Sequence, residues 1–239
     1  MISDARLQAT MSAIADAETM LFACLQNADS FFPAGAIAFS WGLETLITDG
    51  LVHGAGQVEA FLLGQLAQRW DVADRPALVA AHRTWDIGDA CEIDAQVEAM
   101  TLASELREGS RRAGASLLSV HGRLGTDGVL ALQEAVRGGR ATGHLAVVQG
   151  WVWRGAGMSE MAAQIVSAHS FCVALLGAAL RLGSIGHLHA QRTLLAARST
   201  MVELLRTPAL AVDAMYGCVP ATEIAAMRHE TQASRLFAN

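Results

Sequence analysis

The side chains best able to do chemistry in this sequence are its eight histidines and its paired carboxylates. His187 and His189 are two positions apart, so on a predicted helix their side chains leave the axis about 200° apart and cannot readily grip one metal ion together. The remaining histidines are scattered at spacings that match no metal motif: His53, His82, His121, His144, His169 and His229. Local spacing therefore predicts no metal site, although a ligand set drawn from distant helices stays open.

Acidic pairs occur at three places where two carboxylates could hold a metal ion or act in a glycosidase. These pairs are Asp71/Asp74, Asp86/Asp89 and Glu92/Asp94. They lie among loop and helix-end residues, so helix caps and solvated faces explain them better. Ser40 lacks the preceding glycine and strand of a nucleophile elbow and is better explained as a helix-start residue. With no convergent nucleophile, base and charge-stabilising group, the sequence predicts no catalytic residue and no cofactor of its own.

The absence of lysine excludes two further classes of enzyme. All 17 basic residues are arginine, whereas a P-loop needs a lysine at its phosphates and pyridoxal chemistry needs a lysine amine. The net charge of −6 and the pI near 5.7 argue against a nucleic-acid ligand. The cysteines are far apart and predict reduced, mostly buried thiols: Cys24, Cys91, Cys172 and Cys218.

Alanine and leucine prevail along the chain and the alternating patterns of strands are missing, so the elements that position any binding residue are predicted to be helices. We predict an all-α fold, a single-domain bundle of about ten helices over residues 1–239 with a C-terminal tail. The predicted helices lie near residues 16–28, 38–49, 57–69, 75–87, 90–106, 108–123, 128–137, 144–154, 159–182 and 185–206. Hydrophobic residues make up 52% of the chain and charged residues 17%, which favours large buried interfaces.

The clearest helical period lies in residues 159–182. A stripe of apolar residues recurs there at steps of three or four, and Ser159 is the predicted N-cap: Met161, Ile165, Ala168, Cys172, Leu176 and Ala179. A second apolar stripe on the neighbouring face places this helix at the centre of the bundle. Its polar residues, among them Gln164 and Ser167, argue against a membrane span. Trp151 and Trp153 are most simply core residues, but helical spacing leaves room for one of them at an interface.

The two ends of the chain give weaker patterns. The first residues have no basic region leading into an apolar run, so we expect a cytoplasmic location. Thr207 and Pro208 end the last long helix, and Pro220 interrupts the stretch beyond it. Residues 221–239 form a polar stretch with apolar anchors, which alone would be expected to fray.

Five segments, taken in order, resemble the UreF family of urease accessory proteins. The first, LQNADSFFPAGA at 25–36 continuing to SWGLE at 40–44, is similar to the family's helix, proline-glycine loop and following helix. The others are ELREGSRRAG at 105–114, GHLAVVQG at 143–150, RLGSIGH at 181–187 with Gln191, and MRHETQASRLF at 227–237. Together they span most of the chain, so the resemblance is to the whole protein.

The resemblance implies an assembly protein rather than an enzyme. It would bind the UreD/UreH-type accessory protein and, with it, recruit the UreG-type GTPase to load nickel into apo-urease, as a homodimer without nucleic-acid or membrane contact. One alternative is a regulator of the GTPase that supplies an arginine or glutamate to its active site. A second alternative is a helical metalloenzyme with ligands drawn from His169, His187 and the acidic residues.

The resemblance also implies where partners would bind. Residues 1–15 would be a variable segment and residues 221–239 a partner-binding tail. The implied partner-binding residues are Phe39, Glu44, Met227, Arg228, His229, Glu230, Thr231, Ser234, Arg235, Leu236 and Phe237. The sequence departs from the family at Phe39, Ala233 and near Ala238, where the family usually has a hydrogen-bonding aromatic or histidine, a tyrosine and a basic residue.

Overall fold

The computed structural model describes residues 4–33, 39–217, 219–229 and 236–237. Across these residues the fold is all-α, as predicted, and contains no strand. The helices are α1 (Asp4–Ala28), α2 (Leu43–Thr48), α3 (Gly54–Gln65), α4 (Arg75–Arg83), α5 (Ile87–Met100), α6 (Ser104–Leu124), α7 (Val129–Arg137), α8 (Leu145–Gly155), α9 (Glu160–Arg181), α10 (His187–Arg206) and α11 (Pro220–His229). A π-helix joins α3 to α4 over Leu66–Asp74, and a 3-10 turn spans Val212–Ala214.

Most predicted helices agree with the structure to within a few residues, and three differ. The helix predicted over 38–49 begins only at Leu43. The helix predicted over 90–106 is split, because α5 ends at Met100 and α6 begins at Ser104. Arg107 stabilises this break by donating hydrogen bonds to the carbonyl oxygens of Thr101, at 2.6 Å, and Leu102, at 2.7 Å. The first helix begins at Asp4 rather than near residue 16, so it covers most of the segment expected to be variable.

Helix α9 lies at the centre, as predicted. The Ser159 hydroxyl accepts a hydrogen bond from the Ala162 amide at 3.2 Å and caps it. By length and composition α9 could cross a membrane, but 67% of its most apolar window is buried inside this chain. The predicted stripe is only partly buried, because Met161 and Ile165 are 48% and 50% exposed at the beginning of the helix.

Both tryptophans of α8 are buried, so the expectation that one of them could lie at an interface is wrong. Trp151 and Trp153 are 1% and 2% exposed, because α4, α6, α7 and α9 surround α8. Gly150 permits the closest of these approaches, since a Cβ atom there would lie 2.2 Å from the Leu78 carbonyl oxygen.

The beginning of the C-terminal tail is ordered and packed, which corrects the expectation that it would fray. Pro220 is the first residue of α11, a position that favours its fixed φ angle. Helix α11 packs on α2 and α6 and buries one face there, including Thr222, Ala225, Ala226 and His229. Residues 220–229 therefore belong to the folded body of the chain.

Candidate functional site

The turn that precedes α2 is shaped to receive α11. Trp41 and Gly42 both have left-handed backbone angles, with φ of 55° and 76°. A bulky residue in this region is strained and persists only where packing enforces it. The Trp41 ring is 5% exposed and lies beneath the Arg69 guanidinium, 4.6 Å from the ring centre. At Gly42 a Cβ atom would lie 3.1 Å from the Thr222 carbonyl oxygen, so glycine permits the close approach of α11.

His229, the last residue of α11, lies between two buried carboxylates. Its Nε2 is 3.0 Å from Glu44 Oε2 and its Nδ1 is 3.0 Å from Glu105 Oε2. The histidine is fully buried, and the two glutamates are 6% and 7% exposed. Each ring nitrogen lies within hydrogen-bond distance of one carboxyl group, so the ring bridges the two acidic side chains. We call these three residues the Glu–His–Glu cluster; it joins α2, α6 and α11.

Glu44 also binds the residues near the end of the chain. Its Oε1 accepts a hydrogen bond from the Leu236 amide at 2.7 Å, and its Oε2 accepts one from the Phe237 amide at 3.1 Å. The Phe237 side chain is 6% exposed and packs under Arg181, whose guanidinium carbon lies 4.3 Å from the ring centre. One carboxylate therefore fixes both α11 and residues 236–237.

Apolar side chains are exposed to solvent on the side of α11 opposite its buried face and at Leu236 beyond it. Ile224, Met227 and Leu236 are 56%, 47% and 62% exposed, and we call them the outer C-terminal face. Beside them, Arg228 pairs with Asp49 through a 2.5 Å contact and keeps 57% of its side chain exposed. The arrangement can bind a protein surface through an apolar centre with a charged rim.

The implied partner-binding residues thus divide into three sets. Met227, Arg228 and Leu236 are at the surface. Phe39, Glu44, His229 and Phe237 are buried in this chain, where they shape or hold the C-terminal region rather than face solvent. Outside the described residues lie Glu230, Thr231, Ser234 and Arg235, together with the departures at Ala233 and Ala238.

Sequence reasoning missed Glu105, the third member of the cluster. The segment 105–114 stands out in the sequence for its arginines, and no local spacing relates Glu105 to a histidine 124 positions later.

The expectation for Asp94 is also wrong, since it is 1% exposed rather than a helix cap or part of a solvated face. Its carboxylate accepts hydrogen bonds from the amides that precede α8: Thr142 at 2.5 Å, Gly143 at 3.1 Å and His144 at 2.7 Å.

The arginine-rich helix α6 is engaged with its own chain. Arg111 forms a two-pronged ion pair with Glu98, and His144 Nε2 lies 2.8 Å from the same carboxylate. These partners, Arg111 first, lower the pKa of Glu98 to about 2 against the opposing effect of partial burial. Arg107 lies 3.5 Å from Glu98 as well. This network ties α5 to α6 and to the beginning of α8.

The remaining predicted groups are dispersed. His187 and His189 are exposed on α10, and among the described residues no group of three or more histidine, cysteine or acidic side chains is arranged to hold a metal ion. Asp86 caps α5 as expected, accepting hydrogen bonds from Gly88 and Asp89 amides. Burial raises the pKa of the Cys172 thiol to about 12, which leaves it protonated and unreactive.

Comparison with known proteins decides the family. The model of the UreF family matches residues 52–198. The urease accessory protein UreF of Trichodesmium erythraeum (strain IMS101) is 33% identical over 223 residues, covering 91% of this chain and 96% of the relative. That of Paenarthrobacter aurescens (strain TC1) is 31% identical over 221 residues, covering 92% and 98%. The chain belongs to the UreF family.

Membership of the UreF family confirms the resemblance found in the sequence. A UreF protein is, as its name states, an accessory protein of urease, and the name attributes no reaction to it. The range matched by the family model runs from just before α3 into α10, so it includes Glu105 but neither Glu44 nor His229.

Proposed function

We propose that this UreF-family chain is a non-enzymatic assembly factor of urease that acts in the cytoplasm. It binds the UreD/UreH-type accessory protein and with it recruits the UreG-type GTPase to apo-urease. Nickel is the cargo of that assembly and GTP is the substrate of the GTPase. The observation that carries the proposal is the outer C-terminal face, held in place by the Glu–His–Glu cluster beneath it.

The cluster fixes the position of this face. Burying a polar side chain is costly unless it is hydrogen-bonded, and both ring nitrogens of His229 have a carboxyl partner here. These two buried contacts therefore hold α11 in one position on α2 and α6. With its inner face buried, α11 presents Ile224 and Met227 outward in a fixed geometry.

The chemistry of the face fits a protein partner. Exposed apolar side chains with an adjacent arginine resemble the centre and rim of a protein interface. We propose that the UreD/UreH-type protein covers Ile224, Met227 and Leu236. The same assembly contains two copies of this chain, and its low charged content of 17% agrees with more than one buried interface.

Point substitutions test this better than deletion of residues 221–239, because deletion would also remove His229 from the core. In the variant Ile224→Glu/Met227→Glu, two exposed apolar side chains become charged. We expect unchanged helicity and a melting temperature close to wild type, with loss of co-purification of the UreD/UreH-type partner. Leu130→Glu on α7 is the matched control, since Leu130 is 66% exposed and far along the chain from α11.

The outcomes separate cleanly. Full partner capture by the folded double variant would refute the proposed face. Equal loss of capture in the Leu130→Glu control would show that any added surface charge disrupts binding, and the assignment to α11 would then be wrong.

A further inference from the structure

Helix α10 exposes an apolar and basic stripe that no described residue covers. Leu188, Leu195 and Val202 recur every seven residues and are 62%, 62% and 45% exposed. Arg192 is exposed between Leu188 and Leu195, and Arg206 is exposed four residues after Val202, at the end of the stripe. Steps of four and three residues place all five side chains on one side of the helix. We call these residues the α10 stripe.

The α10 stripe has the spacing of a face that packs on another helix, but it also contains an arginine within the repeat and a second at its end. The opposite face of α10 already packs on α9 and α3 through Ala190, Thr193 and Ala197. Among the described residues none forms a hydrogen bond or ion pair with Arg192 or Arg206. Glu203 is the one acidic residue of α10, in a chain whose net charge is −6. A helix that fits this stripe must offer apolar side chains bounded by carboxylates.

Helix α1 of the same chain has that chemistry. Its outer side presents Leu21, Phe22 and Leu25, which are 58%, 73% and 59% exposed. Glu18 precedes them on the same side and Asp29 follows just after the helix ends, both exposed. Residues 15–33 contain no basic side chain. We call this set the α1 stripe.

The two stripes also match in length. At 1.5 Å per residue, Arg192 and Arg206 are about 21 Å apart along α10, and Glu18 and Asp29 are about 16 Å apart along α1. The difference of about 5 Å is within the reach of extended arginine side chains. Both carboxylates can therefore meet arginines while the leucines pack between them.

We propose that the α1 stripe of one molecule packs on the α10 stripe of a second copy of this chain. Both helices pack on α9 within a molecule, so a two-fold axis can pair α1 with α10 twice and close the assembly as a dimer. This pairing identifies the interface of the dimer, and it rests on the proposal that the assembly contains two copies of this chain.

Charge reversal on each helix tests the pairing. The α10 variant is Arg192→Glu/Arg206→Glu and the α1 variant is Glu18→Arg/Asp29→Arg. A protein that carries only one of these two variants has like charges facing one another in both α1–α10 contacts. We therefore expect its association to weaken by about tenfold or more at low salt. Their equimolar mixture restores opposite charges in both contacts, and so does the combined four-substitution variant.

Sedimentation equilibrium measures the dimer constant of each isolated protein against the 25.2 kDa chain mass. We expect both single-helix variants to be more dissociated than wild type, and the mixture and the combined variant to dimerise again. Recovery in the combined variant also shows that the substitutions leave the fold intact. Dimerisation of both single-helix variants at wild-type strength, or no recovery on mixing, overturns the proposal.

A wild-type protein that stays monomeric also overturns it, and would leave the α10 stripe to an acidic helix of another protein. Capture of the UreD/UreH-type partner is measured separately, through the outer C-terminal face. A protein that captures this partner but does not associate through α1 and α10 would refute the pairing and leave the partner-binding proposal standing.

Discussion

Replacement of His229 by alanine tests the Glu–His–Glu cluster most directly. The substitution leaves the carboxyl groups of Glu44 and Glu105 facing one another at 8% and 9% side-chain exposure, without the ring between them. Leaving a buried hydrogen-bonding group without its partner costs about 1–3 kcal/mol, and two such groups lose their partner here. At about 2–4 °C per kcal/mol for a chain of this size, the melting temperature should fall by about 10 °C.

Urea unfolding followed by far-ultraviolet circular dichroism measures this loss, provided that fluorescence gives a coincident transition. Arg228→Ala is the control, one residue away on the same helix. Its ion pair with Asp49 is exposed, so its loss should cost no more than about 1 kcal/mol. In the His229→Ala background, Glu105→Gln replaces one of the two facing carboxyl groups by an amide that can donate a hydrogen bond to the other, and should recover part of the stability. If His229→Ala were no less stable than Arg228→Ala, the cluster would not hold α11 as argued.

Three further predictions concern the core. Burial lowers the pKa of His121 to about 4. As the pH falls, His121 therefore binds a proton in the unfolded chain before it does so in the folded one. The free energy of unfolding should drop between about pH 6.5 and pH 4, by up to about 3 kcal/mol. Urea unfolding of wild type and His121→Gln at pH 7 and 4.5 checks this, and an equal loss in both would contradict it. Gly150→Ala should destabilise by more than about 2 kcal/mol, because its Cβ would meet the Leu78 carbonyl oxygen. At Gly177 an added Cβ atom would meet no neighbouring atom within 4 Å, so Gly177→Ala should instead be neutral or stabilising by up to about 1 kcal/mol. Similar melting temperatures for the two variants would refute the close approach at Gly150. Cys172 should react with an alkylating reagent only as fast as the folded protein opens, whereas the partly exposed Cys91 should react faster. Peptide mass mapping over time compares the alkylation rates of the two thiols.

The sequence predicted those parts of the fold that depend on local chemistry. Ser159 caps α9 as expected, because an N-cap needs only a side-chain oxygen and the helix that begins after it. The end of α10 at Arg206 is explained by the proline two residues later. The family was also recognisable, since its segments keep their order along the chain.

The sequence could not predict contacts between distant segments. Asp94 resembled a surface carboxylate because its hydrogen-bond donors, the amides at 142–144, lie far along the chain. Residues 221–239, judged alone, lack any local reason for order, yet His229 finds both of its carboxylates in α2 and α6. In each case burial and pairing come from the tertiary fold, and no helical period or spacing encodes them.

The separation of Glu44 and His229 by 185 positions also determines when the cluster can form during synthesis. The ribosome must translate α2, the whole central bundle and all of α11 before the His229 ring can reach either carboxyl group. Until then Glu44 has no histidine to pair with, and the outer C-terminal face does not yet exist. A chain that stops before residue 229 would therefore not display this face.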